Sequence, residues 1–243
     1  MLLSKAAELL AHGRAGPSPW PPARQAVLAT MHRTMTVPLI RNGSGANGNW
    51  ELSMLDALAG IAVFAEDREL FNHTLALWRA RLPAYFWSVA DPGGKPVPPP
   101  RGHPSWYGQA TFNASVDGVC QETCRDLGHT QMGLASALYA AETASIQGVD
   151  LLGEAQPRVV AALEFHARLL LNASAVPAYV CAGAGVQLSY PPTFDVAYEQ
   201  YHRRRNVSLP LTKQHLARTV RPMADPAAGH IFVYESLSHG GEL

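Results

Sequence analysis

The spacing of the apolar residues restricts the fold of this chain most, because they recur every three or four positions along most of its length. This period is typical of amphipathic helices. In the range Trp50–Glu66 the apolar residues fall on one helical stripe, formed by Met54, Leu55, Leu58, Ile61, Ala62 and Ala65. The alternation that marks a strand is found only near the end, in His230–Glu235. We therefore predict an all-α fold.

The same period predicts the other helices and their pairing. We expect them over Leu2–Ala11, Pro22–Thr34, Leu70–Leu82, Gln121–Gly148 and Pro157–Leu171, and from Thr193 as N-cap through Tyr201. Helices of similar length joined in pairs favour stacked αα-hairpins, as in a toroid or a solenoid. No repeat of fixed period is visible in the sequence.

One long segment interrupts the helical pattern. The stretch Asp91–Pro104 holds six prolines and three glycines, which exclude regular structure. We predict a Pro/Gly-rich loop over 88–119, and a loop of this length in a compact domain is usually functional or disordered. Its aromatic stretch Ser105-Trp106-Tyr107 could line a sugar site by stacking or pack as a hydrophobic plug. With 243 residues, 47% of them hydrophobic, the chain can bury one large core or two small ones. We predict a single domain over 1–243, truncated at its N-terminus.

The charge balance argues against two classes of partner. Lys and Arg together number 19, as do Asp and Glu, so no net charge attracts nucleic acid or a membrane surface. The basic run His202–Arg205 is interpreted as a solvated helix end. No run of about 18 apolar residues predicts a membrane span.

The asparagines point to the secretory pathway. Five of the seven begin an Asn-x-Ser/Thr sequon, where chance would give about one: Asn42, Asn72, Asn113, Asn172 and Asn206. The first residues, Met1–Lys5, are too polar for the apolar core of a signal peptide. We therefore expect a secreted protein whose signal lies upstream of this sequence.

The three cysteines fit an oxidising compartment. We expect Cys181 to pair with Cys120 or with Cys124, which leaves one thiol free. No histidine stands at the spacing of a structural zinc site, so we predict no metal site at these thiols.

The segment 120–131 concentrates acid, base and guanidinium groups. On the predicted helix Glu122, Arg125 and His129 are three and four residues apart and share one face. An imidazole flanked by a cation and an acceptor suits proton abstraction beside a carboxylate. A structural ion pair between Glu122 and Arg125 is the alternative.

Three blocks of sequence resemble the alginate lyase-like polysaccharide lyases. The blocks are Asn47–Met54 (Asn-Gly-Asn-Trp-Glu-Leu-Ser-Met), Gln121–Thr130 (Gln-Glu-Thr-Cys-Arg-Asp-Leu-Gly-His-Thr) and Pro192–Tyr201 (Pro-Thr-Phe-Asp-Val-Ala-Tyr-Glu-Gln-Tyr), followed by Leu209-Pro210. The similarity spans roughly residues 37–222. It implies an incomplete α/α toroid that cleaves 1,4-linked uronate polymers, glucuronan or alginate, by β-elimination.

The resemblance also implies roles for individual residues. Asn49 would neutralise the uronate carboxylate, His129 would act as base or neutraliser, and Tyr198 would act as the acid and as an alternative base. The residues expected to bind substrate are Arg125, Glu122, Tyr201, Trp50 and Trp106. The chain departs from the pattern at Glu199 and Gln200, where relatives tend to have Asn-His.

Other functions are compatible with the same sequence. A catalytically degenerate carbohydrate-binding toroid would keep the fold without the chemistry. A toroidal glycoside hydrolase would need two facing carboxylates, and the candidates are Glu51, Asp56, Glu122 and Asp126. A structural helical repeat protein is the fourth possibility. We expect an acidic polysaccharide as partner, no cofactor and no metal, and we assume a monomer.

Overall fold

In the computed structural model the described residues are 2–13, 20–43, 47–102, 105–113, 116–172, 174, 176–189, 193–223 and 234–243. They form the α-helices α1 Leu2–His12, α2 Pro22–Met31, α3 Val37–Ile40, α4 Gly48–Phe64, α5 Arg68–Tyr85, α6 Leu127–Ile146, α7 Leu151–Leu171, α8 Asp195–Ala197, α9 Pro210–His215 and α10 Glu235–His239. The π-helical segments His32–Thr36, Tyr198–Arg203 and Leu216–Val220 continue α2, α8 and α9. The described residues contain no strand, which confirms the all-α prediction.

Two helices extend past the prolines at which we placed their ends. Helix α5 continues through Pro83 to Tyr85, and α7 begins before Pro157, at Leu151. The start of α7 is fixed by Asp150, whose Oδ1 accepts the backbone N–H of Gly153 at 2.9 Å. The first N–H groups of a helix have no partner within the helix, and this N-cap satisfies one of them, the N–H of Gly153. The helix therefore begins six residues before Pro157.

The central helices form two hairpins. Residues 65–67 join α4 to α5, residues 147–150 join α6 to α7, and such short connections make each pair antiparallel. Helix α4 packs against both α5 and α6. The main core therefore lies between these hairpins.

Two glycines let α4 and α6 close on the buried ring of Tyr85. A Cβ atom at Gly48 would lie 2.3 Å from the Tyr85 ring, and one at Gly133 would lie 2.1 Å from its hydroxyl oxygen. Only glycine permits both approaches. Tyr85 thus packs at the junction of α4, α5 and α6, below the residues that begin α6.

The predicted loop over 88–119 is closed at its base by backbone hydrogen bonds. The N–H of Trp87 donates to the carbonyl of Val119 at 2.9 Å, and the N–H of Gln121 donates to that of Tyr85 at 3.0 Å. Its described residues hold one short 3₁₀ turn, Pro92–Gly94. These bonds return the chain to the end of α5 and set the position of the residues that precede α6.

A disulfide joins Cys124 to Cys181, while Cys120 is a buried free thiol. The expectation that Cys181 pairs with one of the first two cysteines is confirmed. The bond connects the segment before α6 to the 3₁₀ turn Val180–Gly183.

The C-terminal third differs from the sequence prediction at two points. Thr193 does not cap a helix: its hydroxyl donates to Gln131 Oε1 at 3.0 Å, and Phe194, at a φ of 88°, takes the N-cap position of α8. Most of the expected strand His230–Glu235 lies outside the described residues, and Glu235 begins α10 instead. No helix in the described part of the chain has the length and apolar character needed to cross a membrane.

Candidate active site

Asp126 and His129 form a closely held pair at the start of α6. Asp126 is the N-cap of this helix, and its Oδ1 accepts the backbone N–H of His129 at 2.8 Å. Its Oδ2 lies 2.6 Å from His129 Nδ1. Because a carboxylate can only accept, Nδ1 carries the proton and the neutral imidazole keeps its free lone pair on Nε2. The His129 side chain is 33% exposed.

The predicted helix over Gln121–Gly148 is wrong at its beginning. Residues 121–125 form turns, and α6 begins at Leu127, whose N–H donates to the carbonyl of Gln187 at 2.9 Å. Asp126 explains the difference, because its side chain takes the N–H of His129 and its own backbone is extended (φ −172°). Glu122, Arg125 and His129 therefore do not share a helical face.

The turns nevertheless bring these three groups near each other. Arg125 Nη1 lies 3.6 Å from Glu122 Oε2, and His129 lies near enough to act electrostatically on the Glu122 carboxyl when its imidazole is protonated. Glu122 is fully buried, whereas the Arg125 side chain is 36% exposed. Burial raises the pKa of Glu122, and the hydrogen bond from Asn47 and the charge of Arg125 oppose that rise. Glu122 is thus a buried partner of Arg125, and Arg125 is partly exposed to solvent.

The first sequence block, Asn47–Met54, contacts the second block, Gln121–Thr130. Residues of one site must be in contact in this way. Asn47 Nδ2 donates to Glu122 Oε1 at 2.5 Å. Asn49 Nδ2 lies 3.6 Å from the sulfur of Met132, one turn along α6 from His129. Asn49 is fully buried, and its Oδ1 has no hydrogen-bond partner among the described residues. The Asn49 amide is therefore buried against α6, one helical turn from His129.

The two tryptophans expected to bind substrate have different environments. Trp50, in the first turn of α4, is 52% exposed. Trp106 is half-buried and packs edge-on against Phe112, with 5.0 Å between ring centroids, and Phe112 packs in turn on Trp87. Trp106 therefore packs the loop against the hydrophobic core, which is a structural role and not the substrate contact that we expected.

Tyr107, beside Trp106, is an exposed aromatic near the site. The residue is 40% exposed, and the Cζ of Arg125 lies 5.5 Å from the centroid of its ring. Arg125 Nη1 is 3.5 Å from the Tyr107 hydroxyl oxygen. The loop thus contributes a phenol to the same surface as Arg125.

Tyr198 is not exposed to solvent. Only 1% of the residue is accessible, and its hydroxyl has no hydrogen-bond partner among the described residues. Its ring stacks on His202 with 4.6 Å between centroids, and Arg203 Cζ lies 5.5 Å from it. Burial raises the pKa of Tyr198, while the charges of Arg203 and Arg221 act in the opposite direction.

The π-helical segment that carries Tyr198 is hydrogen-bonded to α6 far from His129. The nearby Gln200 donates to Glu142 at 2.7 Å. Glu142 is thirteen residues after His129, which corresponds to about 20 Å along the helix. Among the described residues no hydrogen bond or ring contact joins Tyr198 to His129 or to Asn49. The structure brings Asn49 and His129 to the same region and does not link Tyr198 to them.

Tyr201 has a packing role. It is fully buried, and its hydroxyl donates to the carbonyl of Leu152 on α7 at 3.1 Å. Burial raises the pKa of Tyr201 far above its ordinary value. Its assignment to substrate binding has no exposed surface to support it.

Most of the carboxylates considered for a hydrolase are inaccessible. Glu51 is buried in an ion pair with Arg81, and Asp56 is buried against Lys5 at 2.7 Å. Together with the buried Glu122, this leaves only Asp126 partly exposed, at 17% of its side chain. Two carboxylates facing a cleft, as glycoside hydrolysis requires, are therefore not found among these four. The described part of the chain also has no group of three or more His, Cys, Asp or Glu side chains suited to a metal ion.

A buried histidine fixes the turns that carry Glu122 and Arg125. His166 on α7 donates from Nδ1 to the carbonyl of Ala162 at 2.7 Å, and its Nε2 accepts from the Thr123 hydroxyl at 2.9 Å. Burial lowers the pKa of His166 to about 4, so it remains neutral. Its bond to Thr123 holds the turn between Cys120 and Cys124 against α7.

Comparison with protein-family models, with curated proteins and with solved structures finds no match to this chain. The site is interpreted from its own geometry, which gives new roles to two residues. From sequence, Asp126 was considered only as a hydrolase carboxylate, and Tyr107 only as an aromatic that could line a sugar site by stacking. Asp126 could have been identified as an N-cap, because it directly precedes the apolar run of α6 and stands three residues before His129. The contact of Tyr107 with Arg125 had no comparable signal, because it joins residues of two separate loops.

Proposed function

We propose that this chain is a secreted polysaccharide lyase that cleaves 1,4-linked uronic-acid polymers, glucuronan or alginate, by β-elimination. The observation that carries the proposal is the Asp126–His129 pair beside the exposed guanidinium of Arg125. An oriented neutral imidazole is a general base, and a neighbouring cation favours an anionic substrate. We also propose that the helical hairpins belong to an incomplete α/α toroid of antiparallel helix pairs.

The reaction requires three events at the sugar. A base removes the proton at C5, the electron pair forms the C4–C5 double bond, and the C4–O4 bond breaks with a proton going to O4. His129 Nε2 is the proposed base, since Asp126 keeps its other nitrogen protonated. Arg125 would stabilise the negative charge that develops on the uronate carboxylate, usually the largest catalytic contribution.

The proton for O4 has two candidate sources. When the C5 proton and O4 lie on the same face of the sugar, the His129 imidazolium can return the proton that it has taken. The sequence resemblance favours Tyr198 instead, although its hydroxyl is buried. The variant Tyr198→Phe distinguishes these two proton sources, because it abolishes turnover only if the Tyr198 hydroxyl donates the proton to O4.

Asn49 is proposed as an indirect contributor. Its amide is buried beside Met132, so it supports the surface near His129 instead of contacting the carboxylate. This replaces the direct neutralisation that the sequence resemblance implied, and it leaves Arg125 as the exposed cation of the site.

A carbohydrate-binding module without catalysis is the second candidate. The burial of Tyr198 and Asn49 favours it, because both are catalytic residues in the proposed family pattern. Such a module would bind acidic oligosaccharides and release no unsaturated product.

The decisive measurement is absorbance near the ultraviolet edge after glucuronan or alginate is added, because elimination produces a conjugated unsaturated uronate. We expect absorbance to rise with the wild type and to rise about 10²–10⁴-fold more slowly with His129→Gln. His12→Gln is the matched control, since His12 is an exposed histidine paired with Glu8 on α1. A folded protein that leaves every uronan unchanged contradicts the proposal, and binding without product favours the module.

Secretion is tested separately through the sequons. Asn42, Asn72, Asn172 and Asn206 are exposed, and Asn113 is half-buried. We expect glycans on the exposed asparagines when the chain is expressed through a eukaryotic secretory pathway, seen as a loss of mass after enzymatic deglycosylation. A chain with no glycan at any sequon would remove the support for secretion.

A further inference from the structure

The backbone holds Tyr107 in a conformation that non-glycine residues rarely adopt. Its φ is 47°, and the next residue, Gly108, has a φ of 93°. The turn is closed by the N–H of Gln109, which donates to the carbonyl of Trp106 at 2.9 Å. Such conformations persist where the surroundings enforce them, and they are concentrated at functional sites.

The side chain of Gln109 attaches this turn to the disulfide. Gln109 is buried, its Oε1 accepts the backbone N–H of Cys181 at 2.8 Å, and its Nε2 donates to the carbonyl of Tyr179 at 3.2 Å. The same Oε1 lies 3.3 Å from the sulfur of Cys124. Since Arg125 directly follows Cys124, the disulfide and Gln109 fix Tyr107 and Arg125 relative to each other.

The two side chains present adjacent donors. Arg125 Nη1 donates a long hydrogen bond, 3.5 Å, to the Tyr107 hydroxyl, so the hydroxyl proton remains free to donate elsewhere. The guanidinium also lies over the ring, at 5.5 Å from its centroid, which orients its plane. Both groups are partly exposed, whereas Glu122 behind them is buried. A carboxylate that approaches from solvent meets one charged and one neutral donor.

We propose that Tyr107 and Arg125 together bind the carboxylate of the sugar, and that Tyr107 sets the preference of the site for an acidic over a neutral sugar. The proposal rests on the proposed function for its substrate class. Under this proposal Tyr107, a residue of the loop over 88–119, recognises the carboxylate. Such a role would explain why its backbone is held at a positive φ.

The test compares two ligands that differ only in charge. Glucuronan oligosaccharides and their carboxyl-reduced, neutral counterparts are titrated into the full chain by calorimetry. We expect the wild type to bind the acidic ligand at least about tenfold more tightly, because hydrogen bonds to charged groups are the stronger ones. Tyr107→Phe should reduce this ratio about five- to tenfold without changing affinity for the neutral ligand. Arg125→Gln should reduce it further.

Tyr179→Phe is the matched control. It removes a tyrosine hydroxyl from the same neighbourhood, and that hydroxyl has no hydrogen-bond partner among the described residues. The bond from Gln109 uses the carbonyl of Tyr179, which the substitution retains. The acidic-to-neutral ratio should equal that of the wild type, and circular dichroism should verify that every variant is folded.

The outcomes separate this proposal from the lyase proposal. An unchanged ratio in folded Tyr107→Phe overturns the role of Tyr107, even if the wild type produces unsaturated uronate. A reduced ratio supports it, even if no product ever forms. A wild type that does not distinguish the two ligands overturns it outright.

Discussion

One carboxylate, that of Asp126, accepts both the backbone N–H of His129 at 2.8 Å and the proton of its imidazole Nδ1 at 2.6 Å. The same side chain therefore begins α6 and fixes the tautomer of the candidate base. These two functions can be separated by substitution, because asparagine caps a helix as well as aspartate does but cannot accept from Nδ1 through its amide nitrogen.

We expect Asp126→Asn to leave stability within a few tenths of a kcal/mol and to reduce elimination activity about 10²–10⁴-fold. An amide that donates to Nδ1 would move the proton to Nε2, which removes the lone pair of the base. Asp126→Ala should lose the same activity and also about 1 kcal/mol of unfolding free energy. Activity assays and denaturant unfolding measure both effects. Full activity in Asp126→Asn would contradict the role of His129 as an oriented base.

The contact between Gly133 and Tyr85 gives a prediction about packing. Alanine favours a helix over glycine by up to about 1 kcal/mol, but its Cβ at position 133 would lie 2.1 Å from the Tyr85 hydroxyl oxygen. Overpacking typically costs about 1–3 kcal/mol, so we expect Gly133→Ala to lower the unfolding free energy.

The double variant tests this cause. In a Tyr85→Leu background the ring and hydroxyl that Cβ would meet are absent, so Gly133→Ala should cost less there and could be stabilising. Urea unfolding of the four proteins in this cycle gives the interaction energy. Equal costs in both backgrounds would show that Tyr85 does not require the glycine.

The helices were predictable from sequence because the apolar period is a local property. The body of α4 and the body of α6 lie where the pattern predicts them. The ends were less predictable, because each depends on a single cap: Asp150 begins α7 and Asp126 begins α6. A proline is a strong breaker in isolation, but packing around Trp78, Leu82 and Tyr85 continues α5 past Pro83.

The site was only partly predictable. His129 and Arg125 are close in sequence, so their proximity could be inferred even though the prediction of one helix through both residues was wrong. The contact of Tyr107 with Arg125 depends on the disulfide and on Gln109, and such long-range pairings leave no local pattern. The burial of Tyr198 and Tyr201 follows from how their helix packs, which a motif match does not contain.

A buried carboxyl in α10 predicts a specific pH dependence. Burial raises the pKa of Glu235 to about 7; its Oε2 accepts the N–H of Val196 at 3.1 Å, and Oε1 accepts from the Tyr139 hydroxyl. The unfolded chain loses this proton near the ordinary value of 4.5. Between these values only the folded state keeps the proton. The contribution of Glu235 to the unfolding free energy therefore falls as pH rises from about 4.5 to 7, by about 3 kcal/mol in total.

Glu235→Gln should remove this dependence, because the amide stays neutral at every pH. We expect the variant to gain stability relative to the wild type as pH rises, with the difference constant above about pH 7. Glu69→Gln is the control, since the Glu69 side chain is 85% exposed. Thermal unfolding across this pH range measures the difference. Parallel profiles for wild type and Glu235→Gln would contradict the prediction.

The disulfide should stabilise the fold and the site together. Cys124 and Cys181 are 57 residues apart, and closing a loop of this length typically contributes about 4 kcal/mol. We expect Cys124→Ser combined with Cys181→Ser to lose about that amount and to weaken binding of an acidic oligosaccharide, because Gln109 then holds Tyr107 less firmly. A reductant should bring the wild type to the stability of the double variant and leave that variant unchanged. Cys120→Ala should keep the response to reductant, because the Cys120 thiol is free. Loss of that response in Cys120→Ala would show that Cys120 forms the bond instead.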